Sequence, residues 1–327
     1  MELGVLYDFR NPTSSRIEPA DLYRRTLDHV RAVEDLGFDT VWLTEHHFID
    51  DDYLPSVLPM AAAVAAITTR VTIGTAVLLL PLHDPLRVAE DAAVVDVLSD
   101  GRLRVGLGIG YKVEEFDAFG VDRRRRGALL DEGLDVLRAA WAEGPLPGRG
   151  VDVTPKPVRA DGIPIWLAGR AEVPVRRAAR RGDGLIAVGD VGLHELYLAE
   201  RAAAGRMGPA NLCTFVQRYP SDDPERADAE LGEHAAYRDL RYADWYGTAA
   251  DLPADEVWRE RALAADAARR RRFVTPDELV AELDALAATG VDSVLWFGTL
   301  PGAPPEATLP LFEQIAALRP RLGSPSS

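Results

Sequence analysis

The chain has 327 residues with 37 basic and 52 acidic side chains, a net charge of −15. That length permits one large domain or two ordinary ones, and roughly three quarters of the unfolded surface can be buried at this size without disulfide or metal staples. Hydrophobic residues at 47% and charged residues at 27% exclude disorder over most of the chain, and the acidic balance disfavours nucleic acid as the main partner, because phosphate binding is driven by Lys and Arg. Cys213 is the only cysteine, which excludes an intrachain disulfide and reads as a small buried hydrophobe. No apolar run approaches the ~18 residues that span a membrane. Met1–Leu6 leads into a strand without the charged start and apolar core of a signal peptide, so the expected location is cytoplasmic. The small, polar tail Gly323–Ser327 is expected to fray.

In chain order, the apolar pattern switches between strand and helix periods. Leu3–Tyr7 reads as a strand, followed by a helix with the face Tyr23, Leu27, Val30, Val33 and Leu36, stopped by Gly37. Thr40–Thr44 is the second strand, Pro59–Thr69 a helix, and Val71–Leu80 a third, fully apolar strand. Pro85–Leu98 is a helix closed by Asp100-Gly101, Leu103–Ile109 the fourth strand, and Leu130, Leu134, Leu137 and Trp141 mark the next helix. Strands then follow at Pro164–Ala168, Leu185–Val188 and Asn211–Val216, with helices at Val173–Arg181 and Glu195–Ala204. Thr275-Pro276-Asp277-Glu278 has the form of a capping box with proline at the first helical position. Ser293–Phe297 is the last strand, and Leu309, Phe312 and Ile315 suggest a terminal helix. Eight apolar strands alternating with helices predict a parallel α/β fold, a closed (β/α)8 barrel in preference to an open doubly wound sheet. Ser221–Arg272 breaks the rhythm. This charged stretch with Tyr237, Tyr242, Trp245, Tyr246 and Trp258 is far longer than an ordinary βα connection and is expected to cover the barrel mouth as a lid. The run Arg269–Arg272 reads as a solvated face, or as a lure for an anionic cofactor.

Glu45-His46-His47 directly follows the second strand, where ionisable groups of a barrel point into the active site. A histidine there suits general acid–base work near neutral pH, and Glu45 is its candidate neighbour. No further histidine cluster supports a metal site: His29 and His234 read as surface residues, and His83 and His194 lie at element ends without an assigned role. Gly106, Gly108 and Gly110 alternate along the fourth strand and leave one face bare, so something must approach the backbone closely, either a flat ring ligand or the packed barrel itself. The spacing is not a dinucleotide fingerprint. Gly169-Arg170-Ala171-Glu172 precedes a helix that carries Arg176 and Arg177, a plausible phosphate site built from backbone N–H groups and Arg170, with Glu172 opposing it unless turned away.

These segments together resemble the luciferase-like flavin-dependent oxidoreductases, the bacterial luciferase family. The likeness lies in WLTEHHF at Trp42–Phe48, VTIGTAVLLLP at Val71–Pro81 and DPLRVAEDAAVVDVLSDGRLRVGLGIGY at Asp84–Tyr111. It continues through EEFDAFGVD at Glu114–Asp122, RGALLDEGLDVLRAAW at Arg126–Trp141, PIWLAG at Pro164–Gly169 and RRAARRGDG at Arg176–Gly184. It implies a single domain over 1–327 with a lid-like insertion at 221–272, a homodimer, and reduced FMN or the deazaflavin coenzyme at the C-terminal mouth of the barrel. The family's histidine after the second strand corresponds to His46. A third-strand bulge that often holds a non-proline cis peptide would fall at Thr75, Ala76 and Val77, under the flavin ring. Gly108, Ile109, Gly110 and Tyr111 would line the ring and ribityl chain, and Arg126 with the loop Gly169, Arg170, Ala171 and Glu172 would approach the phosphate.

Two departures stand out. Arg170, Ala171, Glu172 and Pro174 replace the hydroxyl or glycine residues of many relatives, and Gly108 stands where luciferase has a reactive cysteine, so light emission is not implied. The leading expectation is a monooxygenase that uses reduced FMN and molecular oxygen on a small organic substrate, with His46 and Glu45 catalytic. A separate flavin reductase would supply the reduced cofactor, since the chain has no nicotinamide fingerprint. A deazaflavin-dependent hydride-transfer enzyme and a non-catalytic flavin-binding paralogue are the alternatives.

Overall fold

The computed structural model describes residues 1–188, 191–245 and 271–322. Eight parallel strands close into a barrel: β1 (Glu2–Tyr7), β2 (Thr40–Leu43), β3 (Thr72–Thr75), β4 (Leu103–Leu107), β5 (Ile165–Gly169), β6 (Gly184–Ala187) and β7 (Leu212–Phe215), completed by a last strand at Ser293–Phe297 that pairs with both β1 and β7. Two further short strands, β8 (Tyr219–Pro220) and β9 (Phe273–Val274), pair in parallel outside the barrel, which makes the last barrel strand β10. The closed sheet decides against the open doubly wound alternative.

Almost every strand residue is buried, the reason these strands read as continuous apolar runs. The barrel interior holds Trp42 and Trp166, with ring centroids 5.5 Å apart, together with Leu6, Ile186, Leu295 and the fully buried Cys213. Two indoles fit because glycines face them. A Cβ on Gly74 would lie 2.2 Å from the Trp42 ring, and one on Gly184 2.5 Å from that of Trp166.

Helices α1 (Pro19–Asp35), α2 (Val57–Ile67), α3 (Pro85–Leu98), α4 (Val113–Phe119), α5 (Arg126–Trp141), α6 (Glu172–Arg181) and α7 (Val191–Ala203) follow the first six strands. α8 (Pro224–Trp245) lies after β8, α9 (Pro276–Ala288) after β9, and α10 (Leu309–Leu318) after β10. Asp84 caps α3 by accepting from the N–H groups of Leu86 and Arg87. The reciprocal Thr275–Glu278 capping box starts α9. No helix among the described residues is long and apolar enough to cross a membrane.

Three expectations shift. The apolar run Val71–Leu80 is not one strand: β3 ends at Thr75, the Ala76–Val77 peptide is cis, and Leu80–Leu82 forms a 3-10 turn. The fourth strand stops at Leu107, and α4 appears where no helix was read. His29 is buried, not at the surface. It lies on the inward arc of α1 with Thr26, Val30 and Val33, and both ring nitrogens find partners, Tyr7 Oη at 2.8 Å and Thr308 Oγ1 at 3.0 Å. His234 is half-buried, its Nδ1 2.8 Å from the Pro301 carbonyl. Of the insertion, 246–270 lies outside the described residues, as do Tyr246, Trp258 and the tail 323–327.

Candidate active site

The C-terminal ends of the strands open into a cavity of about 1360 Å³. Chain segments after β2, β3, β4, β5, β6 and β7 line it, and α8 closes one side with Arg238, Asp239 and Tyr242. This is where a (β/α)8 barrel assembles its chemistry.

His46 is buried on the cavity wall, held at both nitrogens. Its Nδ1 lies 2.8 Å from Glu115 Oε1 and its Nε2 3.0 Å from the Tyr111 hydroxyl. Glu115, fully buried on α4, also accepts the His47 backbone N–H at 2.9 Å. Rings of Tyr53, Tyr111 and Trp245 pack around the imidazole at 5.1, 5.3 and 4.6 Å. Burial lowers the His46 pKa, and the pull of Glu115 in the other direction does not cancel it, so the ring is neutral near pH 7.

Glu45 faces a different set. Its Oε1 accepts from Nε2 of His47 at 2.6 Å and of His83 at 2.7 Å, and its Oε2 from Leu79 N at 3.1 Å. Burial pushes the Glu45 carboxyl up, but the hydrogen bonds from the two histidines outweigh it and hold the carboxyl below its ordinary value. Burial likewise lowers His83, and the Glu45 contact more than offsets that, leaving its pKa raised. The three donor atoms lie within 4.8 Å of one another, a spacing that could take a metal ion. Their 2.6 and 2.7 Å separations are those of N–H···O hydrogen bonds. His83, to which sequence alone attached no role, thus joins the Glu45-His46-His47 segment to the turn after β3.

The remaining expected residues divide. Ala76, Val77, Gly108, Ile109, Gly110 and Tyr111 line the cavity. Thr75 does not: its hydroxyl donates to the Gly106 carbonyl at 2.7 Å and accepts the Gly106 N–H at 2.9 Å. The close approach inferred at the alternating glycines is made by the protein. A Cβ on Gly106 would sit 1.9 Å from Thr75 O, one on Gly108 2.5 Å from Val77, and one on Gly110 3.1 Å from Phe116. Arg126, Gly169, Arg170 and Ala171 line the cavity, joined by Arg123, whereas Glu172 does not. Its carboxylate is exposed, 3.4 Å from Arg176. Arg176 also pairs with Glu200 and is absent from the wall. Arg123 and Arg126 have no carboxylate partner among the described residues, and α6 begins at Ala171 without a side-chain cap, leaving its first N–H groups unsatisfied within the helix. Arg271 and Arg272 reach the wall as well, and Arg272 is buried against Asp239 at 3.0 Å, not solvated.

Sequence reasoning missed Glu115, Tyr53 and Arg10. The Arg10 guanidinium is buried, paired with Asp8 and Asp51, and lies over the rings of Tyr53, Tyr242 and Trp245 at 4.6, 5.2 and 4.4 Å. It ties the segment after β1 to α8, behind His46. No local pattern marks it; beyond the neighbouring Asp8, its partners come from two distant segments, Asp51–Tyr53 and α8.

The model of the family described as luciferase-like monooxygenase matches residues 1–293. Among curated relatives, the uncharacterized protein y4vJ of Sinorhizobium fredii is 35% identical over 173 residues, 51% of this chain and 49% of its own length. The alkanal monooxygenase alpha chain of the Kryptophanaron alfredi symbiont is 28% identical over 178 residues, 52% and 50% of the two chains. The chain therefore matches about half the length of these relatives. Among solved structures, monooxygenase RslO1 from Streptomyces bottropensis superposes with a TM-score of 0.83 at 24% identity over 98% of this chain and 99% of its own. The oxygenating constituent of 3,6-diketocamphane monooxygenase from Pseudomonas putida, in complex with FMN, gives 0.78 at 17%, over 99% of both chains. An F420-dependent secondary alcohol dehydrogenase gives 0.73 at 16%, again over 99% of both. At these identities the solved structures establish a common barrel. With the family model matched from the first strand into the last, the chain belongs to the luciferase-like monooxygenase family.

Proposed function

We propose that this chain is a flavin-dependent monooxygenase that uses reduced FMN and molecular oxygen to oxygenate a small organic substrate. The observation that carries the reading is one cavity whose wall joins two unlike groups of residues. The segments after β4 and β5 bring Arg123, Arg126, Arg170 and the uncapped start of α6, and the segment after β2 brings the buried, doubly held imidazole of His46. Ala76, Val77 and the backbone of Gly108–Tyr111 complete the wall and would meet a flat ring. A helix N-terminus with arginines beside it suits a phosphate, and Glu172, the residue that spoke against one, is turned toward Arg176.

Arg126, Arg170 and the amides after Ala171 would hold the phosphate, while Ala76, Val77 and Gly108–Tyr111 would hold the ring. When bound, reduced flavin supplies the electrons that reduce dioxygen. The protein orients the reactants, excludes water through the walls and α8, and offers His46 as a proton donor or acceptor. Glu45 lines the cavity and also holds the turn after β3 through Leu79 N. A separate reductase and a homodimer complete this reading; sedimentation as a monomer at micromolar concentration would remove the dimer.

A deazaflavin coenzyme is the second reading. Its longer anionic tail would find a cavity of about 1360 Å³ and a further arginine wall, Arg218, Arg271 and Arg272. Titration with reduced FMN and with the reduced deazaflavin, followed by oxygen uptake across a substrate panel, separates the two. Oxygen-dependent product with reduced FMN is expected. Oxygen-independent turnover with the deazaflavin alone selects the second reading. Binding without turnover by either selects a non-catalytic flavin-binding paralogue.

A further inference from the structure

We propose that Tyr111, His46 and Glu115 form a directional proton relay opening on the cavity, in which the Tyr111 hydroxyl is the group that meets the reactants and Glu115 is the positioning residue for His46. The inference rests on the flavin-dependent reading for the reaction it serves, and on this chain's own geometry for its direction.

The Glu115 carboxylate is fully buried, and its Oε1 already accepts the His47 backbone N–H at 2.9 Å. Facing that acceptor at 2.8 Å, His46 Nδ1 is the donor. A neutral imidazole that donates from Nδ1 has a bare Nε2, and Nε2 then accepts the Tyr111 O–H at 3.0 Å. The chain of donors therefore runs from the cavity inward: Tyr111 O–H to Nε2, Nδ1–H to Glu115. The imidazole has little freedom to turn, since three aromatic rings pack against it. The remaining Glu115 oxygen, Oε2, is buried without a hydrogen-bond partner among the described residues, a cost that a purely structural contact does not require.

Proton balance follows from this order. A cavity group that releases a proton gives it to the Tyr111 oxygen as the phenolic proton passes to Nε2. The phenol is regenerated, and the product is an imidazolium whose Nδ1–H is held by the Glu115 carboxylate. The reverse transfer returns the proton. No phenolate accumulates, because the phenolic oxygen takes up one proton as it passes the other on. Burial disfavours the charged imidazole and Glu115 compensates part of that cost, so His46 stays neutral and ready to accept. Lys112 and Arg10 also face it and oppose its charge.

The test has two arms. In cofactor-free protein, 15N spectra of histidine-labelled chain, assigned by loss of the His46 signal in His46→Asn, report the tautomer directly. The Nδ1–H form is expected in the parent and in Glu115→Asp. In Glu115→Gln, whose amide can donate as well as accept, this preference is expected to be lost. An Nε2–H tautomer in the parent, or no change in Glu115→Gln, overturns the relay. In turnover with reduced FMN, Tyr111→Phe is expected to lower kcat about 10²-fold while KM and the His46 tautomer stay as in the parent. Unchanged kcat removes Tyr111 as carrier. If neither flavin supports turnover, the flavin reading fails, and the relay is judged by the spectra alone.

Discussion

At the scale of single residues, the site joins groups that sequence marks with groups that it does not. Glu45 and His46 were legible because ionisable residues directly after a buried strand have few structural reasons to be there. Glu115 was not: one acidic residue in an acidic stretch carries no signal until α4 brings it 2.8 Å from His46 Nδ1. Arg126 lies between these cases. If it holds the phosphate, Arg126→Ala should weaken FMN binding about tenfold, the loss of one charge-assisted hydrogen bond, and leave riboflavin binding unchanged in calorimetry. An equal change for both ligands would place the phosphate elsewhere. His29 gives a stability prediction. Burial lowers its pKa from 6.5 to about 4, so between those values the unfolded chain binds the proton and the folded chain does not. Stability from this group is full above pH 6.5 and falls by about 3 kcal/mol as pH drops to 4. Asp8 and Asp292, raised to about 6 mainly by burial, act in the opposite sense over that window. The measurement is therefore the difference between the parent and His29→Gln in denaturant unfolding at pH 7 and pH 4. A difference that does not shrink toward pH 4 would contradict the assignment.

At the scale of elements, strands and helices followed from periodicity wherever packing and pattern agreed. α3 matches its expected bounds because Asp84 and Pro85 start it and an Asp-Gly pair ends it. The run Val71–Leu80 misled because buried strand and buried turn have the same composition. β3 ends at Thr75 since its hydroxyl is bound by the backbone of Gly106, and the chain beyond is held instead by Leu78 to β4 and by Leu79 N to Glu45. Gly106 is the hinge of this arrangement. In Gly106→Ala the new methyl would collide with the Thr75 carbonyl, a backbone atom at 1.9 Å, and separating β3 from β4 should cost about 3 kcal/mol. A midpoint of urea unfolding within error of the parent would show that the two strands can part without loss.

At the scale of the whole molecule, a net charge of −15 coexists with a mouth that gathers nine arginines against Glu45, Asp239 and Glu282. Six of the nine have carboxylate partners, among them Arg124 with Asp122, Arg177 with Asp131 and Arg238 with Asp239. Arg123 and Arg126 therefore dominate the field an incoming anion meets. FMN association, followed by stopped-flow fluorescence, should slow as ionic strength rises from 0.02 to about 0.5 M, since screening shortens from roughly 20 to 4 Å; riboflavin should be indifferent. Equal salt response would mean the acidic body outweighs the mouth. By itself the sequence determined the alternation of strand and helix, the continuous apolar strands that require both faces covered, the capping box at Thr275, and the position of a candidate catalytic segment at Glu45–His47. Those are local properties, written in spacing and residue type. Only the tertiary structure decided that the sheet closes, that Gly106 and Gly108 receive β3 and its following turn, that Glu172 is absent from the cavity wall, and that Glu115, His83 and Arg10 surround the Glu45–His47 segment. Each of these depends on which distant segments share a boundary, and contact between residues far apart in the chain leaves no periodic trace.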